Sequence, residues 1–326
     1  MTLKILMVDG YDYNGWKSLN DANCIDAFEH YSNTLKSISK TPLDIITIHP
    51  GKKIDFLPIG LSLNDFDGII WTGSSLNIYD STPPILRQIE LAKETLNCNV
   101  NIFGTCWGLQ IYVQAAGGVV RKNPKGREMI FARNIEINQI GSEHKMYSNK
   151  SKKFDAFCSH LDEIETIPEG SDILSENNHS KVQALTFKIN GADFWGTQYH
   201  PEFNFNIMSR ILAARKSILI KENIFKDDNH ADKIINVMED VVKNKNGIIE
   251  SLHSIWDEHK ENGWEEFDSE EVARYICEKI AIGEADFLSD KTKDRFRTLY
   301  RLIAERIRQQ QNLMASENSG KKKMRV

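Results

Sequence analysis

Short apolar runs alternate with stretches of helical spacing through the first two thirds of the chain. Leu3 to Val8, Asp44 to Ile48, Gly68 to Trp71 and Val100 to Phe103 are runs that suit strands buried on both faces. Between them, Asp21 to Ile38 and Pro83 to Leu96 carry apolar residues at helical spacing. The second opens on prolines, where a missing N–H costs a helix least. This alternation predicts an α/β domain, a mostly parallel open sheet with helices on both faces. From Met129 to Gln198 the pattern turns strand-rich, with Ile130 to Ile137, Val182 to Ile189 and Ala192 to Thr197 as strands. These extend the sheet and carry late residues back towards early ones.

After residue 205 the character changes. No proline and no strand-like run occurs in 206–326. Apolar residues recur at helical spacing in Ile234, Val237 and Val241, in Val272, Ile276 and Ile280, and in Phe296, Leu299, Ile303 and Ile307. The expected organisation is an α/β domain over 1–205, an all-helical extension over 206–315, and a basic, disordered tail over 316–326. Apolar stripes on such helices need burial, and a homodimer through the extension would supply it.

Composition narrows the picture. A chain of 326 residues, 40% hydrophobic and 27% charged, suits a soluble globular protein. A net charge of −5 argues for neither a nucleic-acid nor an anionic-membrane partner. The basic, amphipathic stretch 291–309 reads as a solvated helix face with an apolar stripe before it reads as a binding surface. The apolar run near the N-terminus is too short to span a bilayer, and Asp9 and Asp12 follow it rather than a cleavage site. Five scattered cysteines form neither a disulfide framework nor a zinc pattern. A reducing cytoplasm is the expected setting, with no metal or organic cofactor.

One cysteine stands apart. Gly104-Thr105-Cys106-Trp107-Gly108 follows a strand-like run and precedes a helix-compatible one, Leu109 to Ala116. Small residues on both sides suit a nucleophile held on a tight strand-to-helix elbow. A lone cysteine is otherwise more often inert core. His200 and Glu202, in Gln198-Tyr199-His200-Pro201-Glu202-Phe203, lie two apart at the end of a strand-like run. An imidazole to take the thiol proton and a carboxylate to orient the imidazole are what cysteine amide hydrolysis needs. Taken singly, His200 is a satisfied core histidine and Glu202 a solvated charge; with the elbow, the pair reads as catalytic. Cys24, Cys98, Cys158 and Cys277 have no such setting and read as small core residues. Tyr13 and Trp16, after the first strand, read as packing residues at a site mouth.

With these motifs the chain resembles the class I, triad-type glutamine amidotransferases, and is similar to the amidotransferase domain of GMP synthetases and their stand-alone relatives. The resemblance covers about residues 3 to 205. It also rests on the stretch 71–80, where the family carries its oxyanion loop, on the Ser-His-x-Asp segment within 157–174, and on 178–187 after it. It implies a flavodoxin-like sheet with Cys106 as nucleophile, His200 as general base and Glu202 as orienting carboxylate. The N–H of Trp107 and one from the Gly73-Ser74 turn would form the oxyanion hole. Gln110, Ser159, His160 and Asp162 match residues around bound glutamine, His160 with a structural reading beside that one. The family often has Gly-Gly-Pro where this chain has Gly73-Ser74-Ser75, which bears on how that hole is switched. The reaction implied is attack on a glutamine side-chain amide, with a glutamyl thioester and released ammonia. Neither an SGGxDS loop nor a GxxxxGK[ST] loop occurs in the chain, so the ammonia would go to an acceptor or a separate synthetase. Two further readings are a stand-alone γ-glutamyl amide or peptide hydrolase or transferase, and a non-catalytic regulatory or binding module on the same fold.

Overall fold

The computed structural model describes residues 2–53, 57–148 and 150–243. The chain divides into two compact units, residues 1–215 and 216–326. In chain order the first half holds β1 (Leu3–Val8), α1 (Tyr13–Asp21), α2 (Ala27–Ile38), β2 (Leu43–Ile48), β3 (Gly68–Trp71), α3 (Pro83–Leu96), β4 (Asn101–Thr105) and α4 (Trp107–Ala115). There follow β5 (Val119–Lys122), β6 (Glu128–Ile137), α5 (Gln139–Glu143), β7 (Lys153–His160), β8 (Asp162–Thr166) and β9 (Asp172–Glu176). The last elements are β10 (Ala184–Ile189), β11 (Ala192–Thr197), α6 (Phe205–Lys221) and α7 (Asp228–Lys243).

Nine strands form one sheet in the order β2-β1-β3-β4-β11-β10-β9-β6-β7. The pairs from β2 to β11 are parallel, and those from β11 to β7 antiparallel. Period-two alternation in the parallel strands feeds two cores. Leu6, Val8, Ile69 and Trp71 point to a layer shared with Leu91, Leu109, Ile111 and Tyr112 of α3 and α4. Met7 and Ile70, from the same strands, pack with Tyr31 of α2 on the other face. The expected α/β sheet with helices on both faces is thus present, continued at one edge by antiparallel strands.

The helix expected over 21–38 begins only at Ala27. Before it, α1 ends in a Schellman closure: Cys24 N–H reaches the Leu19 carbonyl, Asn23 N–H that of Asn20, and Asn23 takes φ 54°. Asp12 caps the start of α1 through the Gly15 N–H at 2.8 Å. α3 starts and ends where its prolines and apolar spacing place it.

Of the second unit, the described residues are 216–243. There Lys216 on α6 bonds Asp228 and Asp232 on α7 at 2.9 and 2.8 Å, and Ile234, Ile235 and Met238 turn one face of α7 inward. The apolar stripes 272–280 and 296–307, the basic stretch 291–309, Cys277 and the basic tail lie outside the described residues. Among the described residues no helix is long and apolar enough to cross a membrane.

Candidate active site

Parallel strands deliver their C-terminal ends to one edge of the sheet, so the loops after β1, β3, β4 and β11 meet there. Cys106 sits at the turn from β4 into α4 with φ 50° and ψ −99°, a strained conformation for a residue with a side chain. The backbone holds the turn from both sides: Cys106 N–H donates to the Thr197 carbonyl at 2.7 Å, and the Cys106 carbonyl accepts from Gln110 N–H at 3.0 Å. Its glycine neighbours are steric requirements. A Cβ on Gly104 would lie 2.6 Å from the Gly108 carbonyl carbon, and one on Gly108 would lie 2.5 Å from the Trp71 oxygen. Trp107 follows as the first residue of α4, where a helix leaves its leading N–H groups unpaired.

β11 pairs in register with β4, Thr197 opposite Thr105, which brings the next residues beside Cys106. His200 N–H is fixed to the Phe157 carbonyl at 2.8 Å, and its imidazole interacts with the Cys106 thiol. Nδ1 of His200 stands 2.7 Å from Oε1 of Glu202. Phe203 stacks on the imidazole, centroids 3.8 Å apart and planes 3° from parallel. Glu202 is held in turn: Thr105 Oγ1 donates to its Oε1 at 3.3 Å, Tyr31 donates to Thr105 at 3.1 Å, and His30 Nε2 donates to its carbonyl at 2.6 Å. Burial, the largest influence on His200, disfavours its charged form. The Glu202 charge and the hydrogen bonds to Cys106 and Glu202 outweigh it and hold the imidazole up at about 9. The structure therefore brings together the three residues that the motifs single out.

Gly73 lies against the imidazole, since a Cβ there would be 2.8 Å from His200 Cε1. Ser74 is buried and its Oγ accepts from Leu76 N–H within its own turn, at 3.3 Å. Gln88, fully buried on α3, ties three loops of the site. Its Oε1 accepts from the indoles of Trp107 at 2.8 Å and Trp71 at 3.3 Å, while its Nε2 donates to the Gly10 carbonyl at 3.1 Å. Gln110 Nε2 donates to Gln198 Oε1 at 3.2 Å, both side chains being buried.

The Ser-His-x-Asp segment sits at the end of β7 and the start of β8. Ser159 Oγ accepts from Arg215 Nη1 at 2.5 Å. Asp162 accepts from the Tyr79 hydroxyl at 2.9 Å, so the loop after β3 and this segment are joined. Burial pushes the Asp162 carboxyl up to about 6, against Tyr79 and the charges of His160 and Arg127. Both ring nitrogens of His160 face oxygen: Nε2 meets Glu128 Oε2 and Nδ1 the Asp162 carbonyl, each at 2.9 Å. Glu128 also accepts from Asn177 at 2.7 Å and Gln183 at 2.8 Å. Burial alone would raise the Glu128 carboxyl; these donors and the two histidines hold it below its ordinary range. Glu128, Cys158 and His160 are the one group among the described residues whose ligand atoms all lie within 4.8 Å of one another. The polar atoms of Glu128 and His160 already partner each other, the Asp162 carbonyl and the side-chain amides of Asn177 and Gln183, so the arrangement suits a network that positions the segment better than an ion.

The sequence patterns did not single out Gln88, Glu128 or Arg215, each an isolated polar residue without a local motif. Thr105, Gln198 and Phe203 lie inside the two motifs, and their neighbours were the available signal.

A mainly parallel sheet with a cysteine elbow at its C-terminal edge, faced by a histidine–carboxylate pair, is the arrangement of a triad-type amidotransferase domain. The family described as "Glutamine amidotransferase class-I" matches residues 25–216, more than half of the chain, and the chain belongs to it. Gamma-glutamyl-L-1-hydroxyisopropylamide hydrolase of Pseudomonas sp is 35% identical over 175 residues, 53% of this chain and 59% of that protein. Gamma-glutamyl peptidase 4 of Arabidopsis thaliana is 28% identical over 183 residues, 52% of this chain and 70% of that protein. GMP synthase [glutamine-hydrolyzing] of Thermosipho africanus is 29% identical over 176 residues, 51% of this chain but 32% of the synthase. The chain thus spans less than two thirds of the first and about a third of the synthase. A glutamine amidotransferase from Thermotoga maritima shares the fold, with TM-score 0.51 and 17% identity over 74% of this chain and 94% of that one.

Proposed function

We propose that this chain hydrolyses γ-glutamyl amide bonds through a thioester on Cys106, as a stand-alone hydrolase. One observation carries the reading: a strained cysteine elbow whose thiol interacts with His200, itself 2.7 Å from Glu202. In this reading the Cys106 sulfur attacks the γ-carbonyl carbon and its proton passes to His200. The oxyanion meets the N–H of Trp107 and one from the Gly73-Ser74 turn. The C–N bond then breaks, His200 hands the proton to the departing nitrogen, and water cleaves the thioester to glutamate. Glu202 orients the imidazole and stabilises its charge. Gln110, Ser159 and Asp162 surround the glutamyl part, and His160 holds Asp162 in place through its backbone.

The sequence motifs alone placed ammonia delivery to a synthetase first. Two of the relatives bear the names of enzymes acting on γ-glutamyl compounds, and the chain matches more of their length than of the GMP synthase. These support the hydrolase reading over ammonia delivery. The test is direct. Cys106→Ala is expected to fold normally, by circular dichroism, and to lose about 10³-fold or more in γ-glutamyl amide hydrolysis. Turnover at the parental rate would remove Cys106 from the mechanism.

A further inference from the structure

Next to the imidazole of His200 the fold leaves a small cavity. Its walls are mostly hydrocarbon: Leu19, Ile25 and Ala27 from the α1–α2 turn, Phe203 from the His-Pro-Glu loop, and Ile207 and Ile211 from α6. It reaches the reacting groups at Gly73, which lies against the Cε1 edge of His200, itself part of the lining. Of the polar atoms on its wall, His30 Nε2 is bonded to the Glu202 carbonyl, Tyr31 to Thr105 and Glu202 Oε1 to His200, while the buried Glu202 Oε2 has no hydrogen-bond partner. Among the described residues that line it, none is a lysine or an arginine.

We infer that this cavity receives the substituent on the departing nitrogen, and that the preferred substrates are γ-glutamyl amides of small, uncharged alkyl amines. The inference rests on the hydrolase reading above. Bond breaking requires the amide nitrogen to lie where His200 can protonate it, so whatever that nitrogen carries extends past the imidazole. The amine leaves with the electron pair of the C–N bond and the proton that His200 took from Cys106. Free glutamine has only hydrogens at that nitrogen and leaves the apolar walls uncovered. A γ-glutamyl peptide would bring a carboxylate that no lining lysine or arginine meets, into a recess whose wall already holds the Glu202 carboxylate, which is costly. A short alkyl chain covers the walls at no such cost. Its contribution on a hydrocarbon scale is roughly four-fold in kcat/KM for each methylene buried.

The experiment uses the full chain and a series: glutamine, γ-glutamyl methylamide, ethylamide and n-propylamide, with γ-glutamylglycine as the charged member. The expected result is kcat/KM rising along the alkyl series, at least about ten-fold from glutamine to the n-propylamide, with γ-glutamylglycine below the ethylamide. Ala27→Leu, which fills the recess, is expected to cut the ratio of propylamide to glutamine kcat/KM at least five-fold. A flat or falling alkyl series, or glycine equal to ethylamide, overturns the inference while leaving the γ-glutamyl hydrolase reading intact. A folded chain that turns over none of these amides overturns both.

Discussion

At the scale of single residues, two titrations bracket the chemistry. Asp162 is held at about 6 by burial and His200 at about 9. A carboxylate attracts a substrate ammonium only when ionised, so binding through Asp162 weakens as pH falls through about 6. An imidazolium can protonate a departing amine only while it keeps its proton, so that step fails as pH rises through about 9. The pH profile of kcat/KM for a γ-glutamyl amide is therefore expected to be a bell with limbs near these two values. Each limb has an owner. Asp162→Asn, which can still accept from Tyr79, should remove the acid limb and raise KM with a smaller effect on kcat. Glu202→Gln takes away the charge that opposes burial at His200, so the alkaline limb should move down by more than one pH unit. It should also lower kcat by about 10³- to 10⁴-fold, the scale of comparable triad losses. An alkaline limb unmoved in Glu202→Gln would show that another group sets it. The residues behind these predictions differ in how visible they were. Cys106, His200 and Glu202 announce themselves because elbow geometry and tautomer control demand neighbours of fixed type. Gln88 and Glu128 are ordinary polar letters in the chain; only tertiary closeness, to Gly10 and Trp107 or to His160 and Gln183, gives them their roles.

At the scale of elements, the elbow depends on how closely β4, α4 and the end of β3 approach. Gly108 is the tightest point, 2.5 Å from an imagined Cβ to the Trp71 oxygen, a backbone atom that cannot swing aside. Gly108→Ala must push α4 off β3. It is expected to cost about 1–3 kcal/mol of stability, read as a lowered Tm, and to reduce kcat, since the Trp107 N–H moves with the helix. Gly126→Ala tests a different cost: its φ of 83° strains any side chain, yet nothing lies within 4 Å of its Cβ position, so kcat should hold. Strands of the parallel half were legible because both faces are buried and the apolar run is unbroken. The antiparallel half was less so. In β7, Phe157 follows Ala156 and breaks the alternation, while β6 carries a bulge between Ala132 and Ile135. The helix expected over 21–38 missed its interruption because Asn23 in the left-handed region ends α1 by backbone bonds that leave little trace in apolar spacing.

At the scale of the molecule, α6 runs across the division at residue 215, and its first turns belong to the first compact unit. Ile207 and Ile211 pack with Tyr11, Leu19 and Cys24, and Arg215 reaches Ser159. The family match ends at residue 216 and the first unit at 215, both within this helix. A chain ended after Asn204 uncovers the Tyr11–Leu19–Cys24 cluster and strips two walls from the cavity beside His200. Losing two buried isoleucines from a core costs about 2–5 kcal/mol each, enough to unfold a domain of ordinary stability. A chain ended after Lys221 keeps all of these contacts. The expectation is that the shorter chain is unfolded by circular dichroism, while the longer one hydrolyses γ-glutamyl amides within about two-fold of the full chain. Light scattering on the longer one and the full chain reads whether residues 222–326 hold two copies together, the role first suggested by their apolar stripes. A longer truncation that is folded yet inactive would move part of the catalytic requirement beyond residue 221.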